Sequence, residues 1–408
     1  MKLSKVSQLF LVSSAVLLVA TLMTACQLVT IDYVYVAISS ASGNSPNGQI
    51  EAFATDSQSG ALRTGHATVS SGGVDPVAMT VTGDYANLYV ANHGDDTIVH
   101  FVIAANGVLT QKDTLTLSDA PVALAVDSAG TYLYVVSGTT TATLSEYALT
   151  SGTIGSLTMQ EPLTIPGYPA DLVVPTGVNV LVNTSVVHGA AVFATAYDQS
   201  SYNPGGPVSS TAHPGWVWGF AIGSSGALTA STGSPYQAGV KPSGLVSDPT
   251  DSYLYVTDFA SNELIGYSIH SGSILSFLLN GPFKTGNEPQ AIAIDPRGKF
   301  LYVANSLDSS VSAYVVNLAN GTPSAAINTT GSAVNSTDTE PVAIGVDPAL
   351  GRFVYTANVL GNSVSGFRLD PIAGTLAITQ ATPYPTATGP TALAIIPHGN
   401  HSTESITP

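Results

Sequence analysis

Apolar residues alternate with small or polar residues in short segments that recur along almost the whole chain. One such segment starts at a proline and alternates over about six residues, as expected of a half-buried β-strand. It occurs seven times, beginning at Pro76, Pro121, Pro169, Pro242, Pro289, Pro341 and Pro390. A fixed repeat of this kind indicates an architecture of equivalent supersecondary units.

A second apolar segment, typified by Leu-Tyr-Val, follows six of the proline-led segments, and a seventh copy lies before the first of them. Its central positions are Tyr35, Tyr89, Tyr134, Leu181, Tyr255, Tyr302 and Tyr355. A third segment ends on an aromatic residue, at Phe53, Phe101, Tyr147, Phe220, Tyr267, Tyr314 and Phe367. A Gly-x-Leu turn then introduces a weaker fourth segment, at Gly60, Gly107, Gly155, Gly226 and Gly374. Each unit is therefore predicted to be a four-stranded antiparallel meander.

The two ends of the chain have complementary deficits. The first unit starts at its second strand, with Tyr35, and the chain finishes on a proline-led first strand at Pro390. We therefore predict an all-β fold, a seven-bladed β-propeller of four-stranded antiparallel blades, in which the C-terminal strand completes the first blade and closes the ring. The alternative, an open solenoid, would leave both deficits unexplained.

The first residues have the pattern of a targeting segment. Lys2 and Lys5 precede an apolar run from 9 to 22, which is shorter than a membrane span of about 20 residues. Cys26 follows Met-Thr-Ala and is the only cysteine of the chain, so an intramolecular disulfide is excluded. An ordinary secretory signal or an uncleaved anchor would fit the same run.

This segment resembles the signal of bacterial lipoproteins, in which the cysteine receives a lipid and becomes the first residue. The resemblance implies anchoring to a membrane through Cys26, in the cell envelope, on the outer membrane or facing the periplasm. The predicted organisation is a signal peptide (1–25), a lipidated N-terminus and linker (26–30), the propeller (31–398) and a C-terminal tail (399–408).

Charge narrows the classes of partner. The chain carries 10 basic and 26 acidic residues, a formal net charge of −16. Nucleic acid is excluded as a partner, because its phosphates require clustered Lys and Arg. A small molecule or an envelope protein remains as the expected ligand.

The Leu-Tyr-Val-Ala-Asn strands, the spaced prolines and the turn at Asp295-Pro-Arg-Gly resemble YVTN-repeat and lactonase-type propellers, which include 6-phosphogluconolactonase. The resemblance covers residues 31–398. It implies Arg-His after a first-strand proline and Glu after a second-strand Asn in the enzymes. Neither motif is present: Asn92, Asn305 and Asn358 are followed by His, Ser and Val.

Candidate site residues lie on the face that carries the connections between second and third strands. The residues before the prolines should ring the mouth of the central channel, and those that could bind a polar ligand or a cation such as calcium are Asp75, Tyr168, Lys241, Glu288 and Glu340. Solvated polar residues at strand starts are the plainer interpretation. Further candidates on the same face are His93, Asp95, Asp96, His188, His213, Trp216 and Trp218.

Blade 4 is predicted to hold a long insertion near 185–214, because Leu181 and Phe220 are 39 positions apart where most blades show 12 or 13. The two tryptophans just after it are expected to divide between the core and a ligand.

The leading functional prediction is a lipid-anchored propeller that binds a ligand or partner without a required cofactor. Alternatives are a lactone hydrolase acting at the channel mouth and an envelope scaffold.

Overall fold

The computed structural model describes residues 29–39, 47–138, 142–163, 168–173, 180–182, 185–187, 191–197, 215–223, 226–324, 327 and 335–404. Its strands form seven antiparallel sheets arranged as blades, which confirms the predicted propeller. Blade 1 contains the strands within 30–38 and 49–70 together with the C-terminal strand, and blades 2 to 7 follow in chain order.

Each blade runs from a first strand at the channel to a fourth strand at the outer edge of the propeller. The first strands of blades 1 to 7 are Pro390–Pro397, Pro76–Val81, Pro121–Val126, Tyr168–Val173, Pro242–Ser247, Pro289–Ile294 and Pro341–Val346. The second strands are Thr30–Ile38, Asn87–Asn92, Tyr132–Ser137, Ala191–Tyr197, Tyr253–Asp258, Phe300–Asn305 and Phe353–Asn358.

The outer half of each blade is formed by the third and fourth strands. The third strands are Gln49–Asp56, Thr97–Ile103, Thr143–Thr150, Gly215–Ile222, Glu263–His270, Ser310–Val315 and Ser363–Leu369. The fourth is often split in two: Leu62–Thr64 with Val69–Ser70, Leu109–Thr116, Thr153–Pro162, Leu228–Ala230 with Tyr236–Gln237, Ile274–Phe277 with Phe283–Lys284, Asn335–Ser336, and Leu376–Ile378 with Tyr384–Pro385. These outer strands are mostly short, as the weak fourth segment of the sequence suggests.

The hydrophobic core lies between blades. In the described part of the chain, seven buried clusters each combine side chains from two adjacent blades. Because both faces of the second strands are covered, these strands read as almost continuous apolar runs in which every residue, or all but the first, is buried. Radial packing thus replaces a single central core.

The ring is closed by hydrogen bonds between the two ends of the chain. The C-terminal strand pairs antiparallel with the second strand of blade 1, with Tyr35 opposite Ala394 and Val36 opposite Leu393. The same terminal strand lies between the first strands of blades 7 and 2. The predicted closure is therefore confirmed.

Blade 4 departs from the sequence-based assignment. Val180–Val182 pairs only with Ser185–Val187 in a separate two-stranded sheet, so the prediction that Leu181 is central to the second strand is wrong. The second strand is Ala191–Tyr197, and its register places Phe193 opposite Val173, the position that tyrosine occupies in other blades. Ala191–Tyr197 thus lies inside the stretch predicted as an insertion, 185–214, of which 188–190 and 198–214 lie outside the described residues.

Two short 3-10 helices complete the described structure, at His93–Asp95 and Gly399–Thr403. The second begins the segment predicted as a tail and packs on the second strand of blade 1. No helix among the described residues is long and apolar enough to cross a membrane.

Candidate functional site

The first strands surround a central cavity of about 560 Å³, a volume suited to a small molecule. Its wall is built mainly from the residues one to three positions after six of the seven prolines, among them Ala78, Ala123, Gly244, Ala291 and Ala343. These small residues keep the channel open, and most lining residues are of apolar type, although polar atoms supply more than half of the exposed wall. In blade 4 the equivalent register position is Asp171, which pairs with Thr195 as Ala78 pairs with Ala91.

The residues before the prolines form a rim at one end of this channel. In six blades the carbonyl of the rim residue accepts a hydrogen bond of 2.8–3.0 Å from the amide that follows the second strand. The rim positions joined in this way are Asp75, Ala120, Lys241, Glu288, Glu340 and Gly389. The rim and the connections between second and third strands therefore share one face, as the sequence predicts.

Three acidic residues of the rim have an unusual backbone conformation. Asp75, Glu288 and Glu340 adopt φ values of 54–59°, in the left-handed region that few non-glycine residues occupy. All three are half-buried. They lie on blades 2, 6 and 7, so only Glu288 and Glu340 come from neighbouring blades.

Lys241 lies half-buried on the rim between two aromatic rings. Its Nζ is 3.9 Å from the centroid of the Phe259 ring and 5.8 Å from that of Tyr197. Asp258 fixes its backbone by accepting hydrogen bonds from the amides of Val240 and Lys241 at 2.8 and 2.9 Å. Burial lowers the pKa of Lys241, and the charge of Glu288 acts in the opposite direction. A cation and an acid of adjacent blades thus influence each other electrostatically at the channel mouth.

His93 lies beside the rim, directly after the second strand of blade 2. Its Nδ1 lies 3.0 Å from the carbonyl oxygen of Pro121, which can only accept, so Nδ1 carries the proton. Asp95 accepts a 3.0 Å hydrogen bond from the Thr97 hydroxyl, and Asp96 ends the 3-10 helix in a left-handed conformation. These two acids therefore stabilise the local turn.

The remaining sequence candidates divide into two groups. His188 and His213 lie outside the described residues, and Tyr168 opens the first strand of blade 4. Trp218 is buried between blades 3 and 4, and the half-buried Trp216 packs on the same cluster. Both tryptophans lie on one face of the strand, because residues two apart in a strand share a face, and the expectation that one of them faces a ligand stays a prediction.

The asparagines that end several second strands have a structural role. The Asn358 amide donates to the hydroxyls of Ser363 and Ser365 at 3.0 and 2.9 Å, and Asn305 bonds Ser310 and Ser312 in the same way. Both asparagines are completely buried. The repeated Asn thus ties the second strand to the third and needs no catalytic explanation.

A group that sequence reasoning missed lies where the chain closes, at the other end of the blades. In the described part of the chain, it is the one set of three acidic or histidine side chains whose ligand atoms all lie within 4.8 Å of one another. Its members are Asp32, Asp347 and His401, all buried. The rim carboxylates form no such set.

Charge is strongly coupled within this group. Burial, together with the charge of Asp347, raises the pKa of Asp32 to about 8. Burial lowers the pKa of His401, but its hydrogen bonds to Asp347 and Glu404 outweigh this effect and raise the pKa to about 9. Burial acts to raise the pKa of Asp347 as well, yet hydrogen bonds from His401 and from backbone amides bring it below its ordinary value.

Comparison with known proteins supplies a family. The family model described as lactonase, 7-bladed beta-propeller, matches residues 44–167 and 226–401, which is most of the chain. No curated protein sequence matches significantly.

Solved structures show the same fold at low sequence identity. A Pseudomonas aeruginosa protein described as periplasmic gluconolactonase is 18% identical, with a TM-score of 0.68, and the match covers 89% of this chain and 99% of that one. A Bacteroides uniformis protein described as a putative 6-phosphogluconolactonase is 16% identical, with a TM-score of 0.70 and coverage of 90% and 99%. At these identities the likeness shows the fold alone.

Proposed function

Because the chain belongs to the lactonase family of seven-bladed β-propellers, we propose that it hydrolyses a lactone at the mouth of its central channel. Family membership carries the proposal. The rim supplies side chains of the kind that the reaction needs, since lactone opening requires an activated water and a group that stabilises charge on the carbonyl oxygen.

Lys241 and Glu288 are the pair to which we assign these roles. The Lys241 ammonium is partly withdrawn from water between aromatic rings, so its interaction with a developing oxyanion is less screened than on an open surface. Glu288 would take a proton from a water molecule while the oxygen of that water attacks the lactone carbonyl carbon. The ring C–O bond then breaks, and the leaving oxygen recovers a proton to give the open hydroxy acid.

The substrate is proposed to be an unphosphorylated sugar lactone. A phosphate is normally held by several charge-assisted hydrogen bonds. Among the rim positions that the structure describes, Lys241 is the one cation, and it shares the rim with Asp75, Glu288 and Glu340. A dianion would therefore be repelled. The Pseudomonas neighbour, described as a periplasmic gluconolactonase, agrees with this substrate class.

Acid release measures the activity directly. The full chain, purified in detergent, is assayed in a pH-stat with glucono-1,5-lactone and with its 6-phosphate, each against spontaneous hydrolysis. We expect catalysed hydrolysis of the unphosphorylated lactone and little or none of the phosphate ester. Hydrolysis of both lactones at the spontaneous rate would refute the proposal.

A second candidate is a binding protein without catalysis. It is favoured by the absence of Arg-His after every first-strand proline and of Glu after every second-strand Asn. A binding protein should show saturable, calorimetrically detectable association with a sugar lactone or its acid while leaving the lactone intact. The acid-release assay therefore separates the two candidates.

The proposed location is the cell envelope, with a lipid on Cys26 as the anchor. The observation behind it is the lone cysteine after a basic start and an apolar run. Cys26→Ala should move the protein from the membrane fraction to the soluble fraction on cell lysis. Continued sedimentation of this variant with membranes would exclude a thioether-linked lipid as the anchor.

A further inference from the structure

Three buried side chains from distant parts of the sequence meet where the ring closes. Asp32 lies at the start of the second strand of blade 1, Asp347 follows the first strand of blade 7, and His401 belongs to the 3-10 helix after the closing strand. His401 Nε2 is 3.2 Å from Asp347 Oδ1 and 3.4 Å from Asp32 Oδ1.

These separations suit a shared cation. Nitrogen and oxygen ligands at about 2.0–2.2 Å from a zinc ion lie about 3.0–3.5 Å from one another. All three ligand atoms converge within 4.8 Å, and the Asp32 and His401 side chains are 0% and 2% exposed. The set is therefore enclosed by protein.

Asp32 is the second observation that points to a ligand. Its side chain is completely buried, and neither carboxylate oxygen accepts a hydrogen bond from a described group. A buried acid at the same end of blade 6 is satisfied, because Asp295 Oδ1 accepts the amides of Lys299 and Phe300 at 2.8 and 2.7 Å. A buried carboxylate without donors is costly unless a cation lies beside it.

Glu404 orients the histidine for the same task. Its Oε2 lies 2.7 Å from His401 Nδ1. A carboxylate on the outer ring nitrogen is the usual partner of a metal-binding histidine, because it fixes the tautomer with the other nitrogen facing the metal. Asp347 is held from behind as well, by the Ala349 amide at 2.9 Å on Oδ1 and the Arg352 amide at 3.0 Å on Oδ2.

We propose that Asp32, Asp347 and His401 bind a divalent transition cation of the zinc or manganese class, which joins both ends of the chain to blade 7. One imidazole nitrogen with two carboxylates is a donor set for these metals, whereas calcium takes oxygen ligands. The role is structural: the ion holds the closing strand in the ring. This site is separate from the proposed lactone site on the rim.

Metal binding is tested on the full chain, purified in detergent without a histidine tag and treated with chelator. Zn²⁺ and Mn²⁺ are titrated by calorimetry, with Ca²⁺ for comparison, and bound metal is counted by mass spectrometry after desalting. We expect one equivalent of zinc or manganese, no stoichiometric calcium, and a melting temperature that rises with the logarithm of free metal.

Variants assign the ligands. Asp32→Asn and His401→Gln should lose stoichiometric metal binding. His398→Gln is the control and should keep it, because His398 packs on the Tyr33 ring and is not one of the proposed ligands. If either ligand variant fails to fold, the visible spectrum of the Co²⁺-loaded wild type decides, since protein ligation produces intense absorption bands. Absence of stoichiometric metal in the wild type, or unchanged binding in folded Asp32→Asn, would overturn the proposal and leave a histidine cation bridging two aspartates.

Discussion

At the scale of single residues, the repeated tyrosine and the repeated glycine form a latch between blades. In five blades the hydroxyl of the central tyrosine donates to a glycine carbonyl in the next blade, in the turn between third and fourth strands, at 2.5–2.9 Å. The pairs are Tyr35 with Gly107, Tyr89 with Gly152, Tyr255 with Gly321, Tyr302 with Gly374, and Tyr355 with Gly60.

Both partners are visible in the sequence, but their bond is not. The Tyr and Gly-x-Leu repeats are read as separate strand and turn signals, because the pairs lie 63 to 72 positions apart, or 295 for Tyr355. In blade 3 the latch uses Gly152, not the Gly155 that the turn pattern indicates. Blade 4 has Phe193 in the tyrosine position and so lacks this hydroxyl.

Tyr302→Phe removes one latch and leaves the rest of the ring in place. The Gly374 carbonyl would be buried without its donor, so we expect the free energy of unfolding to fall by about 1–3 kcal/mol. Tyr236→Phe removes an exposed hydrogen bond to the Thr232 carbonyl. It should lower the free energy of unfolding by well under half as much. Chemical denaturation measures both, and equal losses would argue against the latch.

The latch glycine also leaves no room for a side chain. At Gly374 φ is 74°, and an added Cβ would lie 2.2 Å from Cδ1 of the Phe300 ring. Gly272 has the same φ of 74° but nothing within 4 Å. Gly272→Ala should therefore cost only the backbone strain of about 1–2 kcal/mol, and Gly374→Ala roughly 1–3 kcal/mol more from the clash. Similar melting temperatures for the two variants would contradict this account.

At the scale of elements, sequence reasoning succeeded where strands carry the full repeat and failed where they do not. The closing strand keeps its proline and alternation, so its partner could be predicted from the missing first strand of blade 1. The true second strand of blade 4, Ala191–Tyr197, has no Leu-Tyr-Val signature. The apolar Val180–Val182, with the sequence Val-Leu-Val, resembles the signature more closely, yet it forms a separate hairpin.

Deleting 388–408 tests the closing strand. The deletion removes the partner of Thr30–Ile38 and exposes an unpaired strand edge in the middle of a blade. We expect loss of cooperative unfolding, with aggregation, as measured by scanning calorimetry and light scattering. A deletion of 405–408 serves as the control and should melt like the wild type. A normal melting curve for the larger deletion would show that the strand does not close the ring.

At the scale of the whole molecule, closure brings together residues that no local pattern connects. No sequence motif links Asp32, Asp347 and His401. Asp347 lies in the turn of blade 7 that is equivalent to the Asp295 turn of blade 6, and His401 lies in a segment predicted as a tail. The rim could be predicted, because the repeat alone places every residue before a proline at one end of the channel. The Lys241 environment could not, since Phe259 and Tyr197 come from the ends of two different second strands.

The central claim is that Lys241 and Glu288 at this rim carry lactone hydrolysis, and matched substitutions test it most directly. The chain supplies a control pair of the same chemistry on the outer part of blade 5, where Lys284 Nζ is 2.7 Å from Glu263 Oε1. The values of kcat/KM for glucono-1,5-lactone are measured for Glu288→Gln, Lys241→Met, Glu263→Gln and Lys284→Met. We predict a loss of about 10²-fold or more for Glu288→Gln and roughly 10- to 100-fold for Lys241→Met, with both outer variants close to wild type. Rim variants as active as the outer ones would contradict the account.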